Sequence, residues 1–122
     1  MKHKYETGLL GEKAAEAYLC KNFGMTCLER RYRTKFAEID LIMMDHGTVV
    51  FVEVKTRKTG SPGEGLMSVN AAKQKRISRG AVIYLMNHHI LNSSVRFDVV
   101  EVNRENITYV PNAFQPGGMF FR

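Results

Sequence analysis

Apolar residues recur along this chain at two spacings, that of a helix and that of a strand. Helical spacing predicts a first helix that is capped by Thr7 and ends near residue 21, and a second over 68–87 with Ser68 as its cap. Residues 1–6 are then expected to form a loose basic arm. The inner face of the second helix is predicted to carry Val69, Ala72, Ile77, Ala81, Tyr84 and Leu85.

Strand-like segments are predicted at 25–33, 37–45, 48–57, 95–102 and 107–110. The first three can pair as an antiparallel meander, and the second helix is a crossover long enough to return the chain to the sheet. The expected fold class is α/β, with a mixed central sheet flanked by helices in the order α-β-β-β-α-β. The 122 residues are expected to form one domain (1–122), with a glycine-rich loop at 59–65 and a C-terminal tail at 111–122. The apolar residues of the tail are expected to dock on this chain or on a second copy: Phe114, Met119, Phe120 and Phe121.

Charged residues interrupt two of the apolar strands, Glu38-Ile39-Asp40-Leu41-Ile42 and Phe51-Val52-Glu53-Val54-Lys55-Thr56-Arg57. A buried carboxylate costs several kcal/mol unless it is paired or binds a cation. If His46-Gly47 is a two-residue turn, Asp40 lies opposite Glu53 and Glu38 lies opposite Lys55. This register places the four charges on one face, with Ile39, Leu41, Val50, Val52 and Val54 on the other.

Two carboxylates beside a lysine suit hydrolysis of a phosphodiester bond assisted by a metal ion. Asp40 and Glu53, with the backbone carbonyl of Val54, would hold Mg²⁺ or Mn²⁺, which prefer oxygen ligands. Lys55 would orient the attacking water or stabilise charge on the phosphate. The alternative is a set of cross-strand ion pairs on a solvated face, Glu38 with Lys55 and Glu53 with Arg57 or a neighbouring arginine, which contribute little stability.

The overall charge favours a polyanionic partner. The chain has 18 Lys and Arg against 12 Asp and Glu, a net charge of +6, which favours nucleic acid over an anionic membrane surface. It has no apolar run long enough to span a bilayer and no secretory signal pattern, so a cytoplasmic protein with no membrane partner is expected. Cys20 and Cys27 are then expected to be reduced thiols, with a disulfide as the less favoured alternative.

Five segments together resemble the small, uncharacterised bacterial YraN-like family: residues 8–19, 38–42, 51–57, Val69 with Lys73 and Arg76, and 96–100. That family is similar to the archaeal Holliday-junction resolvases and the wider restriction-endonuclease-like PD-(D/E)xK nucleases. The resemblance covers about 7 to 110 and implies a restriction-endonuclease-like fold and a metal-dependent endonuclease that acts on DNA, branched or structured DNA included. One departure is that Ile39 stands where the superfamily pattern has proline.

The resemblance also assigns roles to individual residues. Asp40 and Glu53 would be metal ligands, Lys55 the catalytic lysine, and Glu12 a further acid reaching the metal or its water. Gln74 matches a polar position beside the site. Without the resemblance, Glu12 would simply favour the dipole of its helix and Gln74 would be a solvated polar residue.

The expected nucleic-acid contacts surround these acids: Arg31, Arg33, Lys35, Arg57, Lys73, Gln74 and Arg76. DNA is the expected partner, RNA stays open, and a homodimer is expected by analogy with resolvase-like nucleases. The alternative function is a nucleic-acid-binding or partner-binding module on the same fold that does not cleave.

Overall fold

The fold consists of a central sheet between two helices. The computed structural model describes the backbone of residues 2–57 and 69–115, with side chains from residue 8 onward in those ranges. The elements follow one another as α1 (Lys2–Phe23), β1 (Thr26–Arg33), β2 (Glu38–Asp45), β3 (Thr48–Thr56), α2 (Ala71–Asn87), β4 (Ser94–Val102) and β5 (Ile107–Phe114). The α/β fold class predicted from the sequence is therefore confirmed.

The five strands form one mixed sheet in sequential order. β1, β2 and β3 are antiparallel neighbours, β3 and β4 are parallel and joined by α2, and β5 is antiparallel to β4. His46 and Gly47 both have positive φ, 49° and 91°, as the predicted two-residue turn requires. The turn sets Asp45 opposite Thr48 and carries the predicted register up to Leu41 opposite Val52.

The two helices cover opposite faces of the sheet. α1 packs on an apolar cluster that includes Leu41, Val50 and Val52, whereas α2 packs on a cluster that includes Phe51 and Phe97. In the part of the chain that the structure describes, neither helix is both long and apolar enough to cross a bilayer.

Both helices begin at residues other than the predicted ones. α1 starts at Lys2, so residues 2–6 are helical and the predicted loose arm is wrong over that stretch. α2 starts after Asn70, whose side chain accepts a hydrogen bond from the Lys73 N–H at 2.9 Å. The predicted cap Ser68 and the predicted loop 59–65 lie outside the described residues, and the predicted inner-face residue Ala72 is exposed.

Ile39 lies on the other side of the sheet from its predicted one. It belongs to the cluster under α2, although Leu41, two residues further, belongs to the cluster under α1. The ladder between β2 and β3 ends at Leu41. Although β1 still pairs Tyr32 with Ile39, Arg31 has a positive φ of 49° that interrupts the regular strand geometry beside it. A Cβ on Gly80 of α2 would lie 3.4 Å from Ile39 Cδ1, so the absence of a side chain at Gly80 makes room for this packing.

β5 runs four residues beyond the predicted strand and ends at Phe114. Its register shifts against β4 around Pro111 and Asn112, and it lies at the edge of the sheet, where proline is tolerated. Phe114 is buried and stacks on Phe97 with ring centroids 5.1 Å apart, which confirms its docking on this chain. The remaining tail aromatics, Phe120 and Phe121, and Met119 lie outside the described residues.

Candidate active site

The two central acids meet where β2 and β3 stop pairing. The Asp40 Oδ2 atom accepts a hydrogen bond from the Val54 backbone N–H at 2.8 Å, so a side chain links the two strands just beyond Leu41 and Val52. Glu53 is the next residue after Val52 and interacts directly with Asp40. The tight turn therefore brings the two carboxylates together, as the sequence predicts.

This proximity changes the protonation of Asp40. Burial and, next, the negative charge of Glu53 raise the pKa of Asp40 from 3.8 to about 8, against the opposing effect of the Val54 hydrogen bond. Glu12 adds a smaller contribution in the same direction. The protonated form of Asp40 is therefore favoured near neutral pH, because its charge would be buried and would lie beside a second carboxylate.

Glu53 is buried and holds two lysines on one oxygen. Its Oε2 atom lies 3.2 Å from Lys55 Nζ and 2.5 Å from Lys73 Nζ, and its side chain is 7% exposed. Burial and then the hydrogen bond with Lys73 lower the pKa of Lys55. Burial alone would lower the pKa of Lys73 too, but the hydrogen bonds with Glu53 and Lys55 raise it overall.

Glu12 reaches the neighbourhood of the pair but is ion-paired elsewhere. Its Oε1 atom accepts a hydrogen bond from Arg31 Nε at 2.8 Å, and both side chains are partly buried. The preceding residue, Gly11, is pressed against β3, where an added Cβ would lie 2.1 Å from Thr56 Oγ1. The arrangement accounts for Glu12 more specifically than a favourable interaction with the helix dipole does.

Asp40 and Glu53 form a two-carboxylate centre. Over the described ranges, no group of three or more His, Cys, Asp or Glu side chains is placed to hold a metal ion. Within those ranges, further ligands would come from the backbone, from water or from a bound phosphate. Such a donor set is compatible with Mg²⁺, which usually keeps several waters and takes one or two carboxylates.

The surface ion pairs expected under the alternative interpretation are not the ones that form. Glu38 pairs with Arg33 at 3.2 Å, away from its expected partner Lys55, because the ladder that would have placed it there ends at Leu41. Arg57 has its Nε atom 3.8 Å from Glu101 Oε2. Glu53 is buried, so the face that carries it is not a solvated one.

Glu101 is an acid near this site that the sequence analysis did not single out. It is 1% exposed, and the parallel register places it beside Lys55, on the same face of the sheet. The available signal was the same as for Glu53, a carboxylate set into a strand of valines. Glu101 is far from the other acids in the sequence, and only the parallel pairing of β3 and β4 brings it close to them. The spacing of residues along the chain therefore did not indicate that it lies near the site.

Some of the residues predicted to bind nucleic acid are held by contacts within the chain, and others are exposed. Arg31 forms an ion pair with Glu12, and Lys73 forms one with Glu53. Gln74 Nε2 donates a hydrogen bond to the Val69 carbonyl oxygen at 2.9 Å. Arg76 is exposed on α2.

Basic groups also gather around an aromatic ring at the β1–β2 connection. Lys35 Nζ lies 5.3 Å and the Arg79 guanidinium carbon 5.5 Å from the centre of the Phe36 ring, as in cation–π pairs. Arg33 precedes this connection with its side chain 79% exposed. Of the residues predicted to bind nucleic acid, the exposed ones therefore lie on α2 and at the end of β1.

A second buried charge network lies on the other face of the sheet. Asp98, fully buried, accepts hydrogen bonds from Arg96 Nε at 3.0 Å, Tyr109 Oη at 2.6 Å and the Asn112 N–H at 2.8 Å. In register it neighbours Val52, so it shares the face of Val52 and is separated from Glu53 by the sheet. The network stabilises the irregular β4–β5 pairing.

Cys20 and Cys27 are both free thiols in the structure, in agreement with the prediction of reduced cysteines. Burial, the largest cause, and the nearby Glu16 carboxylate raise the pKa of both thiols. A raised pKa lowers the thiolate fraction, so neither cysteine is an activated nucleophile.

Comparison with known proteins places the chain among bacterial relatives. A family model described as "Uncharacterised protein family UPF0102" matches residues 11–102. A UPF0102 protein of Desulforapulum autotrophicum is 46% identical over 92% of this chain and 95% of its own length. One from Syntrophus aciditrophicus is 40% identical over 94% and 93%, and one from Saccharophagus degradans 42% over 89% and 92%.

A solved structure titled "Crystal structure of SSO0001" aligns with 90% of this chain at 16% identity and a TM-score of 0.45. This chain spans about half, 52%, of the length of that protein. The relatives confirm the resemblance to an uncharacterised bacterial family that the sequence motifs indicate.

Proposed function

This chain belongs to the uncharacterised protein family UPF0102, and from that premise we propose that it is an endonuclease that uses Mg²⁺ or Mn²⁺ to hydrolyse phosphodiester bonds in DNA, including branched or structured DNA. The family description names no reaction, so the proposal depends on this chain's own residues. The observation that carries it is the pair of adjacent carboxylates, Asp40 and Glu53, beside Lys55 at the end of two strands.

The residues present fit a divalent ion. A protein that needed only stability would gain from separating or replacing two neighbouring buried acids, whereas a doubly charged cation between them removes their repulsion. Asp40 and Glu53 would hold the ion, and Val54, whose N–H already faces Asp40, would supply its carbonyl oxygen. Bound there, the metal would lower the pKa of a water and offset charge on the phosphate.

The surrounding side chains would then position the substrate and move protons. Lys55 is fixed to Glu53 at 3.2 Å, and its lowered pKa suits a group that exchanges a proton with the attacking water. Glu12, held by Arg31, would orient a further water at the edge of the site. Asp40 would have to lose its proton before it acts as a ligand, so alkaline pH should favour the loaded site.

Nucleic acid is proposed to approach from the face that carries the exposed basic groups. Arg33, Lys35 and Arg76 are available for phosphate contacts, and contacts of this kind hold the backbone without selecting a base sequence. Recognition would therefore depend on the shape of the nucleic acid. A second copy of the chain, proposed by analogy with resolvase-like nucleases, would give such recognition twofold symmetry.

The test is a cleavage assay on a four-way DNA junction and a linear duplex, with Mg²⁺, with Mn²⁺ and with EDTA. We expect metal-dependent cleavage by the wild type and a loss of about 10²–10³-fold or more in Asp40→Asn and in Glu53→Gln, as is typical when a group that stabilises the transition state is removed. Glu38→Gln is the matched control, because it removes an acid of the same strand that pairs only at the surface. Cleavage that persists in Asp40→Asn would disprove the assignment.

A second candidate function is a module of the same fold that binds nucleic acid without cleaving it. The ion pair between Lys73 and Glu53 favours it, because that pair already neutralises the carboxylate within the chain. Tight, salt-sensitive binding to DNA with no cleavage in either metal would select this candidate.

A further inference from the structure

Two lysines from different elements share a single oxygen of Glu53. Lys55 lies two residues further along β3, and Lys73 lies in the first turn of α2. Both ammonium groups face Oε2, with Lys73 the nearer at 2.5 Å against 3.2 Å for Lys55. One carboxylate charge thus has two cationic partners, and either one alone would be enough to pair it.

We propose that Lys73 is a displaceable counter-ion: it neutralises Glu53 in the free protein and transfers to a phosphate when nucleic acid binds, so that nucleic acid and divalent metal bind cooperatively. The inference rests on the proposed function, because it takes Asp40 and Glu53 as the ligands of the metal. In it Lys73 is a positioning residue that controls access to Glu53.

Lys73 and a metal ion compete for the same place. A Mg²⁺ ion bound to a carboxylate lies about 2.0–2.1 Å from the oxygen. The Lys73 ammonium is 2.5 Å from Glu53 Oε2, on the oxygen that such an ion would use. Positive charges at so short a separation repel strongly in a site that is largely shielded from water. Loading the site therefore requires Lys73 to leave.

Lys73 is better placed to leave than Lys55. Its side chain is 29% exposed, and the backbone around it is anchored independently, by the Asn70 cap and by the bond from Gln74 to the Val69 carbonyl. The side chain can thus swing outward while α2 stays in place. Lys55 projects from near the end of β3, the central strand, beside buried Glu101 and is 22% exposed.

The position of Lys73 on α2 also places it near a second basic residue that can bind a phosphate. Arg76 lies three residues further along α2, on a neighbouring part of the helix surface, and is exposed. A phosphate that approaches Arg76 is within reach of the Lys73 ammonium once that group turns away from Glu53. The phosphate would then stabilise the displaced lysine, and the freed carboxylate would accept the metal.

This exchange predicts a reciprocal effect. If bound nucleic acid raises the metal affinity by a given factor, bound metal raises the nucleic-acid affinity by the same factor. Couplings of this kind typically amount to roughly 5–150-fold.

The first experiment measures Mn²⁺ binding to the free protein by isothermal titration calorimetry. Lys73→Met should bind Mn²⁺ roughly 5–150-fold more tightly than the wild type, because the competing ammonium is gone. Lys75→Met is the matched control: it removes the same charge from an exposed neighbour on the same helix and should bind Mn²⁺ as the wild type does. Lys73→Arg, which keeps the charge, should stay closer to the wild type than to Lys73→Met.

The second experiment measures the affinity for a short DNA duplex by fluorescence anisotropy, with and without Mn²⁺ at constant ionic strength. Intact duplex is verified on a gel after each titration. Mn²⁺ should tighten binding by the wild type and by Lys75→Met, and the increase should shrink towards none in Lys73→Met.

The outcomes separate this inference from the proposed function. If the wild type binds Mn²⁺ as tightly as Lys73→Met does, or more tightly, the counter-ion role of Lys73 is overturned. The proposed metal site is not affected by that result. The absence of Mn²⁺ binding in both would overturn the inference and the proposed function together. If Lys73→Met unfolds, which thermal unfolding would reveal, the comparison of Lys73→Gln with Lys73→Arg decides by the same criteria.

Discussion

At the scale of single residues, the main feature is the repulsion between two neighbouring carboxylates. Asp40 and Glu53 lie together in a mostly buried place, and one consequence is an Asp40 pKa of about 8. The charge of Glu53 is neutralised by ion pairs with Lys55 and Lys73, whereas Asp40 accepts a hydrogen bond from a backbone N–H. The charge state of Asp40 should therefore affect stability.

We predict that Asp40→Asn stabilises the protein at alkaline pH and not at acidic pH. The folded-state pKa of about 8 lies above the reference value of 3.8, so between these values the folded protein keeps a proton that the unfolded chain has lost. The free energy of unfolding of the wild type therefore falls as pH rises from about 4 to 8. Asparagine has no charge to bury and can still accept the Val54 hydrogen bond.

The gap between variant and wild type should be small near pH 4 and reach about 1–3 kcal/mol above pH 8. Thermal or urea unfolding across this range, without divalent metal, measures it. Glu38→Gln is the control, since it removes a half-exposed carboxylate from the same strand. An Asp40→Asn variant that is less stable than the wild type at pH 9 would contradict the prediction.

A second prediction at this scale concerns the buried Asp98. Asp98→Asn leaves the Arg96 guanidinium without its main carboxylate partner and weakens the bonds from Tyr109 and the Asn112 N–H. We expect a loss of about 3–5 kcal/mol in the free energy of unfolding, as when one partner of a buried ion pair is removed.

The matched control for Asp98 is Asp45→Asn. Asp45 pairs with the same arginine at 3.0 Å but lies nearer the surface, with its side chain 19% exposed. Its replacement should cost about 1 kcal/mol or less. Urea midpoints for the two variants test the difference, and equal losses would show that burial does not set the strength of this network.

At the scale of elements, α1 lies close against β3 at Gly11. Gly11 has no side chain where a Cβ would lie 2.1 Å from Thr56 Oγ1. The absence of a side chain lets α1 lie against the strand that carries Glu53 and Lys55, and so brings Glu12 to the edge of the site. Helix and strand together position this acid.

We predict that Gly11→Ala destabilises the protein by about 1–3 kcal/mol, as overpacking does, although alanine favours helix more than glycine. Gly8→Ala, one turn earlier in the same helix, is the control: its Cβ would meet Arg31 at 3.9 Å, and stability should stay the same or rise.

A double-mutant cycle localises the effect of Gly11→Ala. Thr56→Ala removes the Oγ1 atom at 2.1 Å and leaves Cβ at 3.3 Å, so Gly11→Ala should cost less in that background than in the wild type. An equal cost in both backgrounds would place the strain somewhere other than this contact.

At the scale of the whole molecule, net charge governs association. The excess of six positive charges acts on any polyanion, while Glu12 and Glu53 hold Arg31, Lys55 and Lys73 in internal ion pairs. Lys35 and Arg76, and Arg33 with its exposed pair to Glu38, remain at the surface and should therefore set the salt dependence of nucleic-acid binding.

We predict that DNA affinity falls about 100-fold between 50 and 200 mM salt, as expected for about four phosphate contacts. Arg76→Met should weaken binding to all sequences alike and reduce the slope of log K against log salt by about one. Lys21→Met, at the far end of α1 from Glu12, should leave the slope unchanged. Anisotropy titrations in EDTA measure both, and a slope near zero would exclude phosphate binding.

The bounds of the first four strands and the register between β2 and β3 were predictable because they depend on neighbours along the chain. Alternating apolar residues mark each strand, and His46-Gly47 sets the pairing from the turn as far as Leu41 and Val52. The fold class and the proximity of Asp40 and Glu53 follow from those features. The start of α1 was missed because the stretch 2–6 carries little apolar periodicity.

The sequence by itself determined that two acids and a lysine come together at the end of two paired strands, because strand period and turn length are local properties. Only the tertiary structure decided how each charge is neutralised: Lys73 on Glu53, Arg31 on Glu12 and Arg33 on Glu38. The reason is that an ion pair between elements depends on where helices dock and where a ladder ends. The spacing of residues along one strand determines neither the docking position of a helix nor the end of a strand ladder.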